Sequence, residues 1–276
     1  VQNKALKHRA FLKWAGGKYK LVEELQACFP ESKTLVEPFV GAGSVFLNTD
    51  FDSYVLNDIN ADLISLYQHL RETPELYVDE ARKYFTDGNN QAESYYKLRA
   101  EFNESTDSFH RSILFLYLNR YCYNGLCRYN QSGGFNVPFG RYVKPYFPEK
   151  ELYFFAEKSQ KATFTCLPFQ QVMKKAKKNQ VVYCDPPYAP ISATANFTSY
   201  AKGGFGISDQ EELAKLAAKI SKNKKLTVII SNHDTPFTRK LYKSAELNSL
   251  KVSRSISQKG GSRKQVSELL AVYQGI

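Results

Sequence analysis

Between Thr34 and Asp58 the chain reads as strand, glycine turn, short helix and strand, and that order restricts the fold more than any other feature. Leu35-Val36-Glu37 is a short apolar run leading into Pro38-Phe39-Val40-Gly41-Ala42-Gly43. Ser44–Asn48 follows with helical character, and Ser53-Tyr54-Val55-Leu56-Asn57 is a second strand ending at Asp58. Strands joined through a crossover helix lie parallel, because a tight turn can join only antiparallel neighbours. Gly41 and Gly43 allow the backbone to approach a ligand closely and to start a helix abruptly. A dinucleotide fingerprint carries Gly or Ala where this chain has Phe46, and pyrophosphate is what that fingerprint serves. A phosphate-free adenosine compound fits the turn better, with Asp58 accepting from both ribose hydroxyls. An ordinary glycine turn beside a strand-end acid would explain the same residues taken alone.

The rest of the chain extends this unit into an α/β fold. Asn60–Leu70, Pro74–Phe85, Ala92–Glu104 and Ser108–Tyr121 carry apolar residues at helical spacing. Tyr123–Pro148 has no period and is rich in Gly, Asn, Pro, Tyr and Arg, which predicts loops and a hairpin. Alternation then resumes. Strands are expected at Thr163–Cys166, Val181–Cys184, Leu226–Ser231, Ser249–Arg254 and Glu268–Tyr273, and helices at Phe169–Lys178, Asp209–Ser221 and Pro236–Leu241. The expected architecture is a Rossmann-like sheet domain, residues 1–59 and 145–276, split by a mostly helical insertion at 60–144.

Charge narrows the partners. Lys and Arg number 38 against 27 Asp and Glu, a net +11, which points to a polyanion and most simply to nucleic acid. The longest apolar runs, Ile113–Leu118 and Leu226–Ile230, fall far short of the ~20 residues of a membrane span. Val1–Ala10 has no apolar signal core, so a cytoplasmic location is expected. Cys28, Cys122, Cys127, Cys166 and Cys184 form no Cys-x-x-Cys pair, and the four His do not cluster with them. Reduced thiols and no metal are the expectation.

The sharpest motif is Asp185-Pro186-Pro187-Tyr188, directly after the apolar strand Val181–Cys184. Two successive prolines donate no backbone hydrogen bonds, so the chain leaves the sheet rigidly with bare carbonyls at the strand end. Methylation of an exocyclic ring amine uses this combination. The amine's lone pair is delocalised into its ring, and the nitrogen becomes nucleophilic once acceptors hold its hydrogens. Asp185 and the Pro186 carbonyl can be those acceptors, and Tyr188 can stack on the base. Near the start, Trp14-Ala15-Gly16-Gly17-Lys18 offers close backbone approach and a cation for a carboxylate. With no preceding strand and no Ser or Thr after the lysine, it is not a phosphate-binding loop.

In this order (Trp-Ala-Gly-Gly-Lys, Phe-x-Gly-x-Gly, a recognition insert, Asp-Pro-Pro-Tyr) the chain resembles the DNA adenine-N6 methyltransferases of the Dam type. The match extends to Leu118–Arg128 and Phe135–Gly140 and covers nearly the whole chain. The resemblance implies S-adenosylmethionine as methyl donor, no metal, and adenine in duplex GATC as target, flipped out of the helix to reach Asp185. It also implies Trp14, Lys18, Asp58 and Asp185 as donor contacts, with Phe39, Ile59 and Phe169 packing around the donor. A monomer is the default.

The insert reads physically as a major-groove reader. Arg128 supplies the commonest guanine contact, Leu126 and Pro138 suit thymine methyl groups, and Tyr123-Asn124 form an intercalating pair. Lys13 corresponds to the family's contact with the outer base pair, and Arg141 joins the DNA-contacting set. Lys174, Lys175, Lys177 and Lys178 read as a solvated helix face. Lys251–Lys264, with Lys259 beside Gly260-Gly261, reads as a hairpin loop gripping phosphates. The rival readings are an RNA or protein-amide methyltransferase, a DNA-binding relative without catalysis, and a nicotinamide oxidoreductase, which Phe46 and the double proline disfavour.

Overall fold

The computed structural model describes residues 7–189, 204–252 and 266–275. After α1 (Val22–Cys28), the expected strand–turn–helix–strand unit forms as β1 (Thr34–Glu37), α2 (Ser44–Leu47) and β2 (Ser53–Asn57). Four helices follow: α3 (Ala61–Glu72), α4 (Pro74–Arg82), α5 (Ala92–Glu104) and α6 (Ser108–Tyr121). Beyond an irregular stretch come α7 (Glu149–Lys158), β3 (Ala162–Thr165), α8 (Phe169–Lys175) and β4 (Gln180–Cys184). The described chain finishes with α9 (Ile207–Lys224), β5 (Thr227–His233), α10 (Pro236–Leu241), β6 (Glu246–Val252) and β7 (Val266–Tyr273).

The strands make one seven-stranded sheet in the order β3-β2-β1-β4-β5-β7-β6. The first five run parallel, and β7 pairs antiparallel with both β5 and β6. This is a mixed α/β architecture of the Rossmann-like methyltransferase kind. Its order reverses at β1, which has β2 on one side and β4 on the other. In open parallel sheets, ligands bind in the crevice outside the carboxyl ends of strands at such a switch point. Here those ends carry Glu37 and Cys184, so the glycine turn and Asp185-Pro186-Pro187-Tyr188 emerge side by side.

Two apolar cores cover the sheet. One joins α3, α4, α5, α6 and α7 to the sheet residues Leu35, Tyr54, Leu56 and Phe164; the other packs α8 and α9 against Val36, Val182, Val228 and Ile230. Ile113–Leu118 of α6 is buried on every side, as a helix apolar all round its circumference requires. Eight tyrosines are among the most fully buried large side chains. Several find backbone carbonyls for their hydroxyls: Tyr54 donates to Thr49 (2.6 Å), Tyr77 to Ser112 (2.9 Å) and Tyr95 to Val137 (2.8 Å). Burial without such bonds would cost about 1–3 kcal/mol each.

One helix was not expected, and two local expectations differ from the structure. Residues 149–158 form α7, an amphipathic turn set by Leu152, Phe155 and Ala156 that lies beside a proline-rich stretch. The helix expected to Lys178 ends at Lys175, where Ala176 turns extended at ψ 143° and its carbonyl accepts from Lys224 Nζ at 2.7 Å. In 123–148 the expected hairpin reduces to two isolated bridges, Cys122 with Phe139 and Tyr129 with Phe135. Helix α5 takes the missing ladder's place. Asn103 bonds both the amide (2.8 Å) and the carbonyl (3.2 Å) of Phe135, and Arg99 donates to the Val137 carbonyl at 3.0 Å.

Candidate active site

The site grows out of three strand ends. Asn57, buried at the end of β2, donates to the carbonyls of Pro38 and Leu167, both at 2.9 Å, and its own carbonyl accepts from Val40 at 2.8 Å. This ties the glycine turn to the loop after β3. Gly41 has φ +48°, and a β-carbon there would stand 2.9 Å from Trp14 Nε1. Gly41 is therefore required twice, by its backbone conformation and by the indole lying on it. Its amide donates to Asp58 Oδ2 at 3.1 Å, while the Asn60 amide donates to Oδ1 at 2.9 Å. Burial raises the Asp58 pKa, and those two amides oppose the rise.

At the end of β4, Asp185 is held by Lys18, whose Nζ lies 2.7 Å from Oδ1, and by Ser231 Oγ, 3.0 Å from the same oxygen. Asp185 Oδ2 takes neither bond. Burial raises the Asp185 pKa above the ordinary carboxylate value, and the Lys18 ammonium pulls it back. Lys18 itself is 3% exposed and lies 3.6 Å from Glu268 of β7, so the carboxylates it meets are the protein's own. The Tyr188 hydroxyl donates to Glu268, and its ring stands 4.6 Å from Lys18 Nζ and edge-on to His233.

These groups line one cavity of about 660 Å³, within the roughly 300–1,000 Å³ of small-molecule sites. Trp14, Lys18, Phe39, Gly41, Asp58, Ile59, Phe169, Asp185, Pro186 and Tyr188 all contribute to its wall. Phe39 packs on Phe169 and Phe205 at centroid distances of 5.4 and 5.6 Å, and Ile59 is half exposed at the rim. Gly43 lies next to the cavity-lining residues Ala42 and Ser44 without lining the cavity itself. With φ +73° it starts α2, and a β-carbon there would face Phe46, Phe155 and Val40, so it shapes the turn from the core side.

Sequence reading passed over two carboxylates in this site. Glu37 is 2% exposed with Oε1 unpartnered among the described residues, and burial together with the Asp185 charge lifts its pKa well above the usual range. Glu268 is equally buried in the strand Ser267-Glu268-Leu269-Leu270-Ala271-Val272. A single acid in an apolar strand was the available signal, because unpaired acids are almost never fully buried.

The residues expected to contact DNA form a separate cluster beside α6. The Tyr123 amide donates to the Pro138 carbonyl at 2.8 Å, which brings the two ends of the irregular stretch together. Tyr123, Asn124, Arg128, Pro138 and Arg141 are exposed, and Asn124 and Arg141 take left-handed φ values of 55° and 52°. Arg128 donates to Asn136 through Nε (2.8 Å, to Oδ1) and Nη2 (3.2 Å, to the carbonyl). Leu126 is half-buried against the core. Lys13 lies in the same cluster, its Nζ 3.7 Å from the Tyr142 ring centroid, and its backbone is clasped by buried Asn119 at 2.9 and 2.7 Å. Lys259 lies outside the described residues.

The glycine turn at the switch point, an acid and a proline carbonyl thus share the wall of one cavity. The chain belongs to the family of D12 class N6 adenine-specific DNA methyltransferases, whose model matches residues 14–256. It is 58% identical over 268 residues to the DNA adenine methylase of Escherichia coli K12, covering 97% of this chain and 96% of that one. It is 59% identical to the DNA adenine methylase of Salmonella typhimurium LT2 over 268 residues and 57% identical to that of Vibrio cholerae O1 over 267, with the same two coverages.

Proposed function

We propose that this enzyme transfers a methyl group from S-adenosylmethionine to N6 of adenine in duplex GATC, acting on a base flipped out of the helix. The observation that carries the reading is the meeting of Gly41, Asp58 and Trp14 with Asp185 and Pro186 around one cavity. The donor, when bound, supplies an electrophilic methyl carbon on a sulfonium, and its C–S bond breaks as the N–C bond forms. Asp58 suits its ribose hydroxyls and Ile59, Phe39 and Phe169 its adenine. The orphaned Glu37 oxygen calls for an N–H donor, which the amino-acid ammonium provides. Gly43, by starting α2, supports the turn that holds the donor.

Asp185 and the Pro186 carbonyl accept the two hydrogens of the target amine, which draws the lone pair toward the methyl carbon. Oδ2 of Asp185 is the oxygen left for this task. Tyr188 stacks on the base, and the methylated nitrogen sheds its proton to Asp185 or water. Residues 60–144 form the recognition unit. Within it Arg128 reads guanine, Leu126 and Pro138 touch thymine methyl groups, and Tyr123 and Asn124 enter the stack. Lys13 contacts the outer base pair, and Arg141 and Lys259 hold phosphates. The enzyme acts as a cytoplasmic monomer on the nucleoid and uses no metal.

The test is transfer of labelled methyl from S-adenosylmethionine to equal masses of duplex DNA, structured RNA and bulk protein. Label in duplex DNA alone is expected. Greater incorporation into RNA or protein would overturn the substrate assignment.

A further inference from the structure

The Asp-Pro-Pro-Tyr segment has little backbone with which to hold itself. Pro186 and Pro187 have no N–H, so their peptides must be fixed by bonds from elsewhere. Upstream, Lys18 and Ser231 fix Asp185. Downstream, Gln210 of α9 donates Nε2 to the Pro187 carbonyl at 2.8 Å, and Asn232 of β5 accepts from the Ala189 amide at 3.0 Å. The Pro186 carbonyl lies between these anchors.

Gln210 and Asn232 are fully buried and bonded to each other. Asn232 Nδ2 donates to Gln210 Oε1 at 3.0 Å and to the Tyr242 hydroxyl oxygen at 3.0 Å, and Tyr242 donates to Gln210 Oε1 at 3.2 Å. Asn232 Oδ1 also accepts from the His233 amide at 2.9 Å. These bonds fix which way both amides face. Turning Asn232 over would set its NH₂ against two backbone N–H groups and its oxygen against Gln210 Oε1. A network this fully satisfied has one low-energy arrangement, and the Pro187 carbonyl is part of it.

We infer that Gln210 and Asn232 are positioning residues for methyl transfer, holding the segment so that the Pro186 carbonyl faces the target amine; this rests on the function proposed above. Neither side chain touches the reacting atoms. Their loss lowers the rate of the chemical step and leaves donor and DNA binding in place. A misaim of about 1 Å can cost a hundredfold in rate.

The experiment measures single-turnover methylation of a GATC duplex at saturating donor, with KM for donor and duplex and thermal stability, for three proteins. Gln210→Met keeps the side-chain length and removes the donor to Pro187. Tyr242→Phe removes bonds from the same network without touching the segment. The expected result is a fall of about tenfold or more in the Gln210→Met transfer rate with both KM values within about twofold of wild type. Tyr242→Phe is expected to retain wild-type transfer even where its melting temperature falls as far. If Gln210→Met does not fold, Gln210→Glu serves, since it keeps the acceptor for Asn232 and Tyr242 and loses the amide donor; the same rate loss is expected. A wild-type rate in the Gln210 variant, or rate losses in both variants that follow their loss of stability, overturns the positioning role. A wild-type protein that fails to methylate the duplex overturns the functional reading and the inference with it.

Discussion

The cavity at the switch point and the loop at 123–142, proposed to read DNA, are built on opposite terms. Around the cavity, side chains are committed to fixed partners: Lys18 to Asp185 and Glu268, Asn57 to the segments after β1 and β3, Gln210 to the Pro187 carbonyl. In the loop, backbone groups are fixed by α5 while Tyr123, Arg128, Pro138 and Arg141 stay exposed. Methyl transfer rewards geometry prepared before substrate arrives. Reading a duplex rewards side chains that are free to exchange one partner for another. Arg128 is an example, since its bonds to Asn136 can be traded for a guanine edge. Lys13 and Trp14 link the two regions, one clasped by Asn119 beside the loop and the next lying on Gly41.

Substitutions on the two sides should therefore fail differently. The largest effect is expected for Asp185→Ala, which removes the carboxylate proposed to accept from the target amine in the transition state. Methyl transfer should fall at least about a hundredfold, the equivalent of about 3 kcal/mol, while DNA affinity persists. Near-normal turnover would remove Asp185 from its role. Asp58→Ala comes next. It deletes a charged hydrogen-bonding group worth about 1.5–3 kcal/mol, so donor affinity by calorimetry should drop roughly tenfold to a hundredfold and excess donor should restore the rate. Unchanged affinity would displace Asp58 from the donor site.

On the loop side, Arg128→Ala should cost about 1–3 kcal/mol of discrimination at the guanine and leave donor affinity alone. Methylation of duplexes with each single substitution, at one salt concentration, measures it. A common fall at every sequence would make Arg128 a phosphate contact instead. The smallest effect concerns pH. Burial raises the Asp185 pKa and the Lys18 charge lowers it, so the reactive carboxylate is lost as pH falls through a value above the ordinary aspartate range. Removing the charge in Lys18→Met leaves burial opposed by the weaker Ser231 bond, and the acid limb of the rate profile should move to higher pH. A limb that stays or moves down would show that Lys18 does not tune Asp185. The same raised pKa favours the folded state at low pH, a contribution lost as pH rises through it.

What the sequence disclosed divides along a physical line. The turn at Gly41 and the segment at Asp185 were legible because glycine and proline constrain the backbone locally, and both emerge at the switch point as their flanking strands require. Lys18 was legible as a cation seeking a carboxylate, but its partners were not, since Asp185 and Glu268 meet it only through strand order. Gln210 and Asn232 carried no local signal, because an amide in a helix and another at a strand end look like ordinary surface polarity until the sheet closes. Gly43 was legible for one of its two expected uses: its αL conformation starts α2 abruptly. Helix α7 was hidden beside the proline-rich stretch.

The proposed activity is tested most sharply by where the methyl group goes. Methylating an unmodified plasmid with labelled S-adenosylmethionine and locating the label base by base answers this in one measurement. Label on N6 of adenine within GATC, and absent from other adenines until those sites are filled, is the predicted result. Label spread over adenines without regard to context, or carried on cytosine, would contradict the account at its centre.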